Sequence, residues 1–166
     1  RDGFLSPIAR SLAELPHGAT VGSSSLRRVA QIRRARPDLQ IVDFRGNVNT
    51  RMRKLSEGVA DATFLACAGL NRLDMADRIT APVPVEVMLP AVAQAVIGCE
   101  IRLEDEVTAE CLAPLHHLET ANCVAAERAL LGALDGSCRT PIAALAEWRD
   151  GTISLRAQIL REDGSE

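Results

Sequence analysis

Ala19-Thr20-Val21-Gly22-Ser23-Ser24-Ser25-Leu26-Arg27-Arg28-Val29-Ala30-Gln31-Ile32 is the stretch that decides the fold. Ala19 to Gly22, set off by Pro16-His17-Gly18, predicts a short strand, and the three serines offer oxygens to the unpaired N–H groups of a helix start. Leu26, Val29, Ala30 and Ile32 continue at helical spacing, and the helix must stop before Pro37, whose ring disfavours helical backbone in the residue ahead of it. The same order recurs downstream. Leu39 to Phe44 predicts a second strand, Arg45-Gly46-Asn47 a turn, and Val48 to Glu57 a helix opened by Asn47 or Asn49 and closed at Gly58. Ala62 to Ala66 predicts a third strand, with Ala68-Gly69 leading into a short helix that carries Arg72 and Leu73. Strands alternating with helices predict a parallel sheet with right-handed crossovers.

The pattern breaks at Ala81-Pro82-Val83-Pro84 and again at Leu89-Pro90, which together read as a linker or hinge. Beyond them, Val92 to Arg102 predicts a buried strand or strand pair and Glu104 to Leu112 a helix. A longer helix is expected over Thr120 to Leu134, with Val124, Ala125, Leu130, Leu131 and Leu134 on its buried side and Gly136 past its end. Ile142 to Trp148 and Thr152 to Leu160 flank Asp150-Gly151, a strong hairpin signal, and Glu162-Asp163-Gly164-Ser165 reads as one more turn.

The 166 residues are enough for one full domain or one domain and part of another, and 47% hydrophobic with 25% charged residues is a globular composition. The uncharged runs fall short of the roughly 20 apolar residues a membrane span needs, and no signal sequence is expected. Starting at Arg1 with no Met, the chain reads as a piece of a longer protein.

Net charge is −3 but unevenly spread: residues 1–78 hold 13 basic and 8 acidic side chains (net +5), residues 79–166 hold 6 and 14 (net −8). The first half is therefore expected to attract anions. Of the 19 basic residues only Lys54 is lysine, and the planar guanidinium of arginine suits carboxylates and phosphates. Compositional bias can set that ratio, but not where the arginines fall. All three predicted strand-to-helix junctions carry them: Arg27 and Arg28 after Ser23, Ser24 and Ser25; Arg45 and, one turn on, Arg51; and Arg72. Ligands of open parallel sheets bind at the carboxyl ends of strands, where helix N-termini present free N–H groups, so the junctions predict a crevice for a ligand with several separate anionic groups. Arg33, Arg34, Arg36 and Arg53 read instead as solvated helix arginines.

Other ligand classes find little support. Gly22-Ser23-Ser24-Ser25 lacks the GK[ST] ending of a phosphate-binding P-loop, and no GxGxxG follows a strand. Aromatics at 2% with no Tyr leave almost nothing to stack on bases, which argues against nucleic acid. His116-His117 reads as a cap or surface pair. The five cysteines show no CxxC pair and no zinc-ligand spacing, so neither metal nor a disulfide framework is expected. Cys67, Cys99, Cys111 and Cys123 lie in apolar stretches and read as buried thiols. Cys138 differs, standing among turn residues in Asp135-Gly136-Ser137-Cys138-Arg139-Thr140-Pro141 beside an arginine that favours thiolate. It is a candidate nucleophile or attachment point, against the plain alternative of a loop cysteine.

Five blocks, in order and spacing, resemble the porphobilinogen deaminase (hydroxymethylbilane synthase) family: Val21 to Arg28 (VGSSSLRR), Arg45 to Arg51 (RGNVNTR), Ala68 to Leu73 (AGLNRL), Leu89-Pro90-Ala91, and Asp135 to Ile142 (DGSCRTPI). The resemblance implies an α/β lobe of periplasmic-binding-protein type, with a parallel or mixed sheet and flanking helices. A partial α+β C-terminal domain with antiparallel strands follows. It divides the chain into an anion-binding domain over 1–92, a hinge and crossover segment over 93–114 belonging to a largely absent first domain, and a truncated cofactor-bearing domain over 115–166.

The implied activity is that of a monomeric cytoplasmic transferase in tetrapyrrole synthesis. It joins porphobilinogen units head to tail with loss of ammonia on a covalent dipyrromethane primer, and hydrolysis frees hydroxymethylbilane. By motif, Cys138 holds the dipyrromethane through a thioether, Ser23, Ser25, Arg27, Arg28 and Arg45 bind that cofactor, and Arg51, Arg72 and Gln94 bind substrate and the growing polypyrrole. No metal, nucleic acid or membrane partner is implied. The family's catalytic aspartate belongs to a segment absent here, so no catalytic residue is assigned, and the 166 residues alone are expected to be inactive and aggregation-prone. The family has Gly on both sides of the glutamine after its Leu-Pro-Ala, where this chain has Ala93 and Ala95. The alternative reading is a non-catalytic two-lobed anion-binding module.

Overall fold

A computed structural model describes residues 1–137 and 139–165. Cys138, the expected attachment point, lies outside the described residues, as does Glu166.

The deciding stretch folds as read: strand β2 over Thr20–Gly22 and helix α1 over Leu26–Ala35. Ser25 caps the helix, its side chain accepting from the Arg28 N–H. Strand β3 (Gln40–Val42) and helix α2 (Val48–Ser56) follow, the helix capped by Asn47, which accepts from the Thr50 N–H. Gly58, at φ 74°, closes α2: its N–H bonds the Leu55 carbonyl and that of Val59 bonds Lys54, the paired pattern of a glycine-terminated helix. Strand β4 (Ala62–Ala66) leads directly into helix α3 (Cys67–Arg72).

The sheet is mixed. A strand unforeseen in the sequence, β1 over Asp2–Leu5, pairs antiparallel with β4 and with the short β5 (Ala81–Pro82), giving the order β3-β2-β4-β1-β5. The β2–β3 and β2–β4 pairs are parallel, and β1 runs against the other four strands of the sheet. Neighbouring residues enter opposite layers: Phe4 and Phe64 pack with Val21 and α1's Ile32, whereas Leu5 and Leu65 pack with Phe44, Leu55 and Leu70 under α2 and α3. Gly22 admits the Phe44 ring so closely that a Cβ there would lie 2.4 Å from it.

After the sheet come helix α4 (Glu106–Leu112), helix α5 (Leu118–Ala133) and the hairpin β6 (Ile142–Arg149) and β7 (Thr152–Ile159), which pair antiparallel as expected. His117 caps α5 by accepting from the Thr120 N–H, in keeping with the cap reading of the histidine pair.

Three expectations fail. Val92 to Arg102 forms no strand: 92–95 is a turn and the rest is irregular and exposed, because no strand edge among the described residues pairs with it. Its apolar side chains Val96, Ile97 and Ile101 face solvent for that reason. On α5, among the described residues, only Glu127 is fully buried; Val124, Leu130 and Leu131 are half-covered and Ala125 exposed, as is Leu134 just past its end, since its main packing is against β6 and β7. Of the four thiols expected inside, Cys67 and Cys123 are half-buried and Cys99 and Cys111 exposed, Cys99 on that irregular stretch and Cys111 on α4.

Candidate anion-binding site

The antiparallel pairing of β1 on β4 sets Asp2 opposite Ala66, at the carboxyl end of β4 and beside the start of α1. There Asp2, 1% exposed, accepts from two guanidinium groups one helical position apart: Arg27 at 2.9 Å on Oδ2 and Arg28 at 2.7 Å on Oδ1. Arg27 and Arg28 are themselves only 6% and 8% exposed. Arg28 also donates to the Phe64 carbonyl of β4 at 3.0 Å, and Arg27 to the Leu89 carbonyl.

Gln94 completes the network. Its Nε2 donates to Asp2 Oδ1 at 3.1 Å, while its Oε1 accepts from Arg27 at 3.2 Å and from the Ala91 N–H at 3.3 Å. Gln31 of α1 holds the same loop from the other side, accepting from the Leu89 N–H at 2.8 Å and donating to the Leu89 carbonyl at 3.0 Å. Leu89, in the segment read as a linker or hinge, and Gln94 beyond it are thus both bonded to α1. Ala93 and Ala95 take φ values of 55° and 71°, the left-handed region that glycine enters without strain.

The electrostatics leave a surplus. Burial works against the Asp2 carboxylate, but Arg28 and Arg27 outweigh it and hold its pKa below the usual aspartate range. Burial and the charge of Arg28 lower the Arg27 pKa, with Asp2 opposing. One carboxylate faces two buried guanidinium groups, so one positive charge stays uncompensated, and the Nε atoms of both Arg27 and Arg28 are buried with no hydrogen-bond partner. Such a pair is stabilised by an added anion.

Around this pair, Ser23 Oγ accepts from the Ser25 N–H at 3.3 Å, and Ser24, bonded to Asp43, accepts from the Phe44 N–H at 2.8 Å. Ser24 and Arg45 keep the Asp43 carboxyl below its usual range. Arg51 donates to the Gly46 carbonyl at 2.8 Å; burial and repulsion from Arg28 lower its pKa, which places it within electrostatic reach of the buried pair. Arg45 is 81% exposed, 3.2 Å from Asp43. Arg72 is exposed at the end of α3 and makes no hydrogen bond or ion pair with these groups among the described residues. The structure therefore joins Arg27, Arg28 and Gln94 directly, sets Ser23, Ser25 and Arg51 close by, and leaves Arg45 and Arg72 at the surface.

Reading Arg36 as a solvated arginine is also incorrect. It donates to the Leu12, Ala13 and Leu15 carbonyls and to Asp38, tying the loop before β2 to the end of α1. Sequence reasoning missed Asp2 and Glu127. Glu127, 5% exposed, accepts from the Ala93 N–H at 2.6 Å and from the Ala146 N–H of β6 at 2.7 Å, joining the Gln94 turn to the hairpin. An aspartate beside Arg1 and a glutamate beside Arg128 look like solvated charges, and only the tertiary fold buries them.

Residues 1–110 match the family model described as "Porphobilinogen deaminase, dipyromethane cofactor binding domain", and residues 121–166 the one described as "Porphobilinogen deaminase, C-terminal domain". The porphobilinogen deaminase of Paracoccus denitrificans (strain Pd 1222) is 55% identical over 166 residues, 100% of this chain and 53% of that protein. That of Sphingopyxis alaskensis (strain DSM 13593 / LMG 18877 / RB2256) is 54% identical over 159 residues, 95% of this chain and 50% of that protein. The chain spans about half the length of the curated relatives it matches. On these matches, the chain belongs to the porphobilinogen deaminase family.

Proposed function

We propose that this chain is the cofactor-holding part of a hydroxymethylbilane synthase, a transferase that joins porphobilinogen units with loss of ammonia. The observation that carries the reading is the uncompensated positive charge of the buried Arg27–Arg28 pair, with two unpartnered Nε–H donors. A dipyrromethane bearing acetate and propionate groups fits that donor set, since its carboxylates supply the missing negative charge and acceptors. When bound it supplies the primer end to which porphobilinogen is joined.

The chain's own residues then divide the work. Cys138 holds the primer as a thioether; Arg27 and Arg28, with Ser23, Ser25 and Arg45, bind its carboxylates; Arg51, Arg72 and Gln94 hold incoming and extended pyrroles. Residues 1–92 form the anion-binding domain, 93–114 the hinge and crossover segment, and 115–166 the domain bearing Cys138. The full-length enzyme is read as cytoplasmic and monomeric, and no helix among the described residues is long and apolar enough to cross a membrane.

The test is porphobilinogen consumption by the full-length protein carrying this sequence, beside its Cys138→Ser and Arg28→Gln variants. The reading expects turnover in the parent, none in Cys138→Ser and a loss of at least tenfold in Arg28→Gln, where a buried charged donor is removed. Turnover unchanged in Cys138→Ser contradicts the transferase reading. A parent that captures anions without consuming porphobilinogen supports the binding module instead.

A further inference from the structure

The buried pair does more than attract anions, because it carries its own counter-charge. Two guanidinium groups side by side, taken alone, form a doubly charged receptor best matched by a dianion such as phosphate or sulfate, each oxygen finding a forked donor. Asp2 lies between them with its side chain fully enclosed, one oxygen on each arginine. It occupies the donors that a second anionic oxygen would use, and it subtracts one charge. Gln94, the remaining polar neighbour that contacts both Asp2 and Arg27, is neutral and leaves that sum unchanged.

What remains for a ligand is one net charge together with the two unpartnered Nε–H groups. Arg51, a further cation within electrostatic reach of Arg28, is opposed only in part by Asp43, and its charge is the same across the variants compared below.

We propose that Asp2 sets the charge selectivity of this site: by cancelling one of two buried guanidinium charges it leaves a receptor matched to a single carboxylate and mismatched to a phosphate or sulfate dianion. The proposal rests on the reading of Arg27 and Arg28 as an anion site and adds the residue that decides which anion enters. A cell is rich in inorganic and organic phosphates, and a bare arginine pair would fill with them. With Asp2 in place, a dianion meets Asp2's repulsion twice over and a carboxylate only once.

The test is a charge series on the whole chain: Asp2→Asn (net +2 at the pair), parent (+1) and Gln94→Glu (0), the charges counted over Arg27, Arg28, Asp2 and Gln94. Each protein is titrated with acetate and with sulfate at constant ionic strength while the arginine Nε–H resonances are followed by NMR. Removing the Asp2 charge strengthens sulfate binding by two charge interactions and acetate binding by one, which predicts a shift of about tenfold in the sulfate-to-acetate affinity ratio towards sulfate. Gln94→Glu shifts the ratio the opposite way.

A ratio that stays constant across the series while both anions bind overturns the role of Asp2 and leaves the anion site standing. Resonances that respond to neither anion in any of the three proteins overturn the anion site itself, and this proposal with it. Should Asp2→Asn fail to fold, parent against Gln94→Glu decides the matter by the same ratio.

Discussion

Replacing Glu127 by Gln tests how the hairpin is tied to the turn that carries Gln94. Both carboxylate oxygens accept backbone N–H groups, Ala93 at 2.6 Å and Ala146 at 2.7 Å. A carboxamide of the same shape keeps one acceptor and turns an NH2 group toward the other N–H, leaving that donor buried and unsatisfied. A lost charge-assisted bond contributes about 1.5–3 kcal/mol and an unsatisfied buried donor costs about 1–3 kcal/mol. Relief from burying a charge offsets part of this, for a net destabilisation of about 2 kcal/mol.

For a chain of this size such a change lowers Tm by about 4–8 °C. Urea unfolding of parent and variant should show the loss as a shift in midpoint with an unchanged slope. Amide exchange at Ala93 and Ala146 should accelerate while that of β2 and β4 does not. A variant within about 0.5 kcal/mol of the parent, the scatter typical of surface substitutions, would refute the reasoning.

Three further outcomes follow from the same geometry. Ala93→Gly and Ala95→Gly relieve left-handed backbone at φ 55° and 71°; folded-state relief of about 1–2 kcal/mol against an entropy cost of about 0.4–1 kcal/mol leaves each variant modestly more stable, seen as a raised Tm, and a lowered Tm at both sites contradicts the strain. Asp2 has a depressed folded pKa, so its stabilisation is fully present above the unfolded value, about pH 4, and is lost as pH falls through the lower folded one. Asp2→Asn should therefore be less stable than the parent by about 3 kcal/mol at neutral pH, with the gap closing below about pH 4 in acid titrations; a gap that widens there is the opposite of what the linkage requires. The exposed Val96, Ile97, Ile101, Leu103, Val107, Leu115 and Leu118 should make the isolated chain self-associate, and Leu103→Lys with Val107→Lys should reduce light scattering at equal concentration; unchanged scattering removes that patch as the cause.

The half of the fold built from local signals was readable in the sequence. Ser25, Asn47 and Gly58 are caps whose chemistry is complete within a few residues, and Asp150-Gly151 sets its own hairpin, so β2, α1, β3, α2, β4 and the β6–β7 pair emerged close to their observed bounds. What stayed hidden depends on distant partners. Asp2-Gly3-Phe4-Leu5 is too short, and too rich in residues that disfavour strands, to declare β1; pairing with β4 from some sixty residues away makes it one. Val92 to Arg102 shows the converse, an apolar run with the composition of a strand and no edge among the described residues to join.

The anion site divides in the same way. Arginines at the strand-to-helix junctions and a glutamine after Leu-Pro-Ala were visible as motifs, but burial of Arg27 and Arg28 follows from Asp2, whose place is set by a strand the sequence did not announce.

The most direct test of the account is the intact mass of the full-length protein carrying this sequence, purified from cells that make porphobilinogen, beside its Cys138→Ser variant. A mass excess of one dipyrromethane is expected on the parent and none on the variant. An unmodified parent, or an excess that persists without the Cys138 thiol, would contradict it.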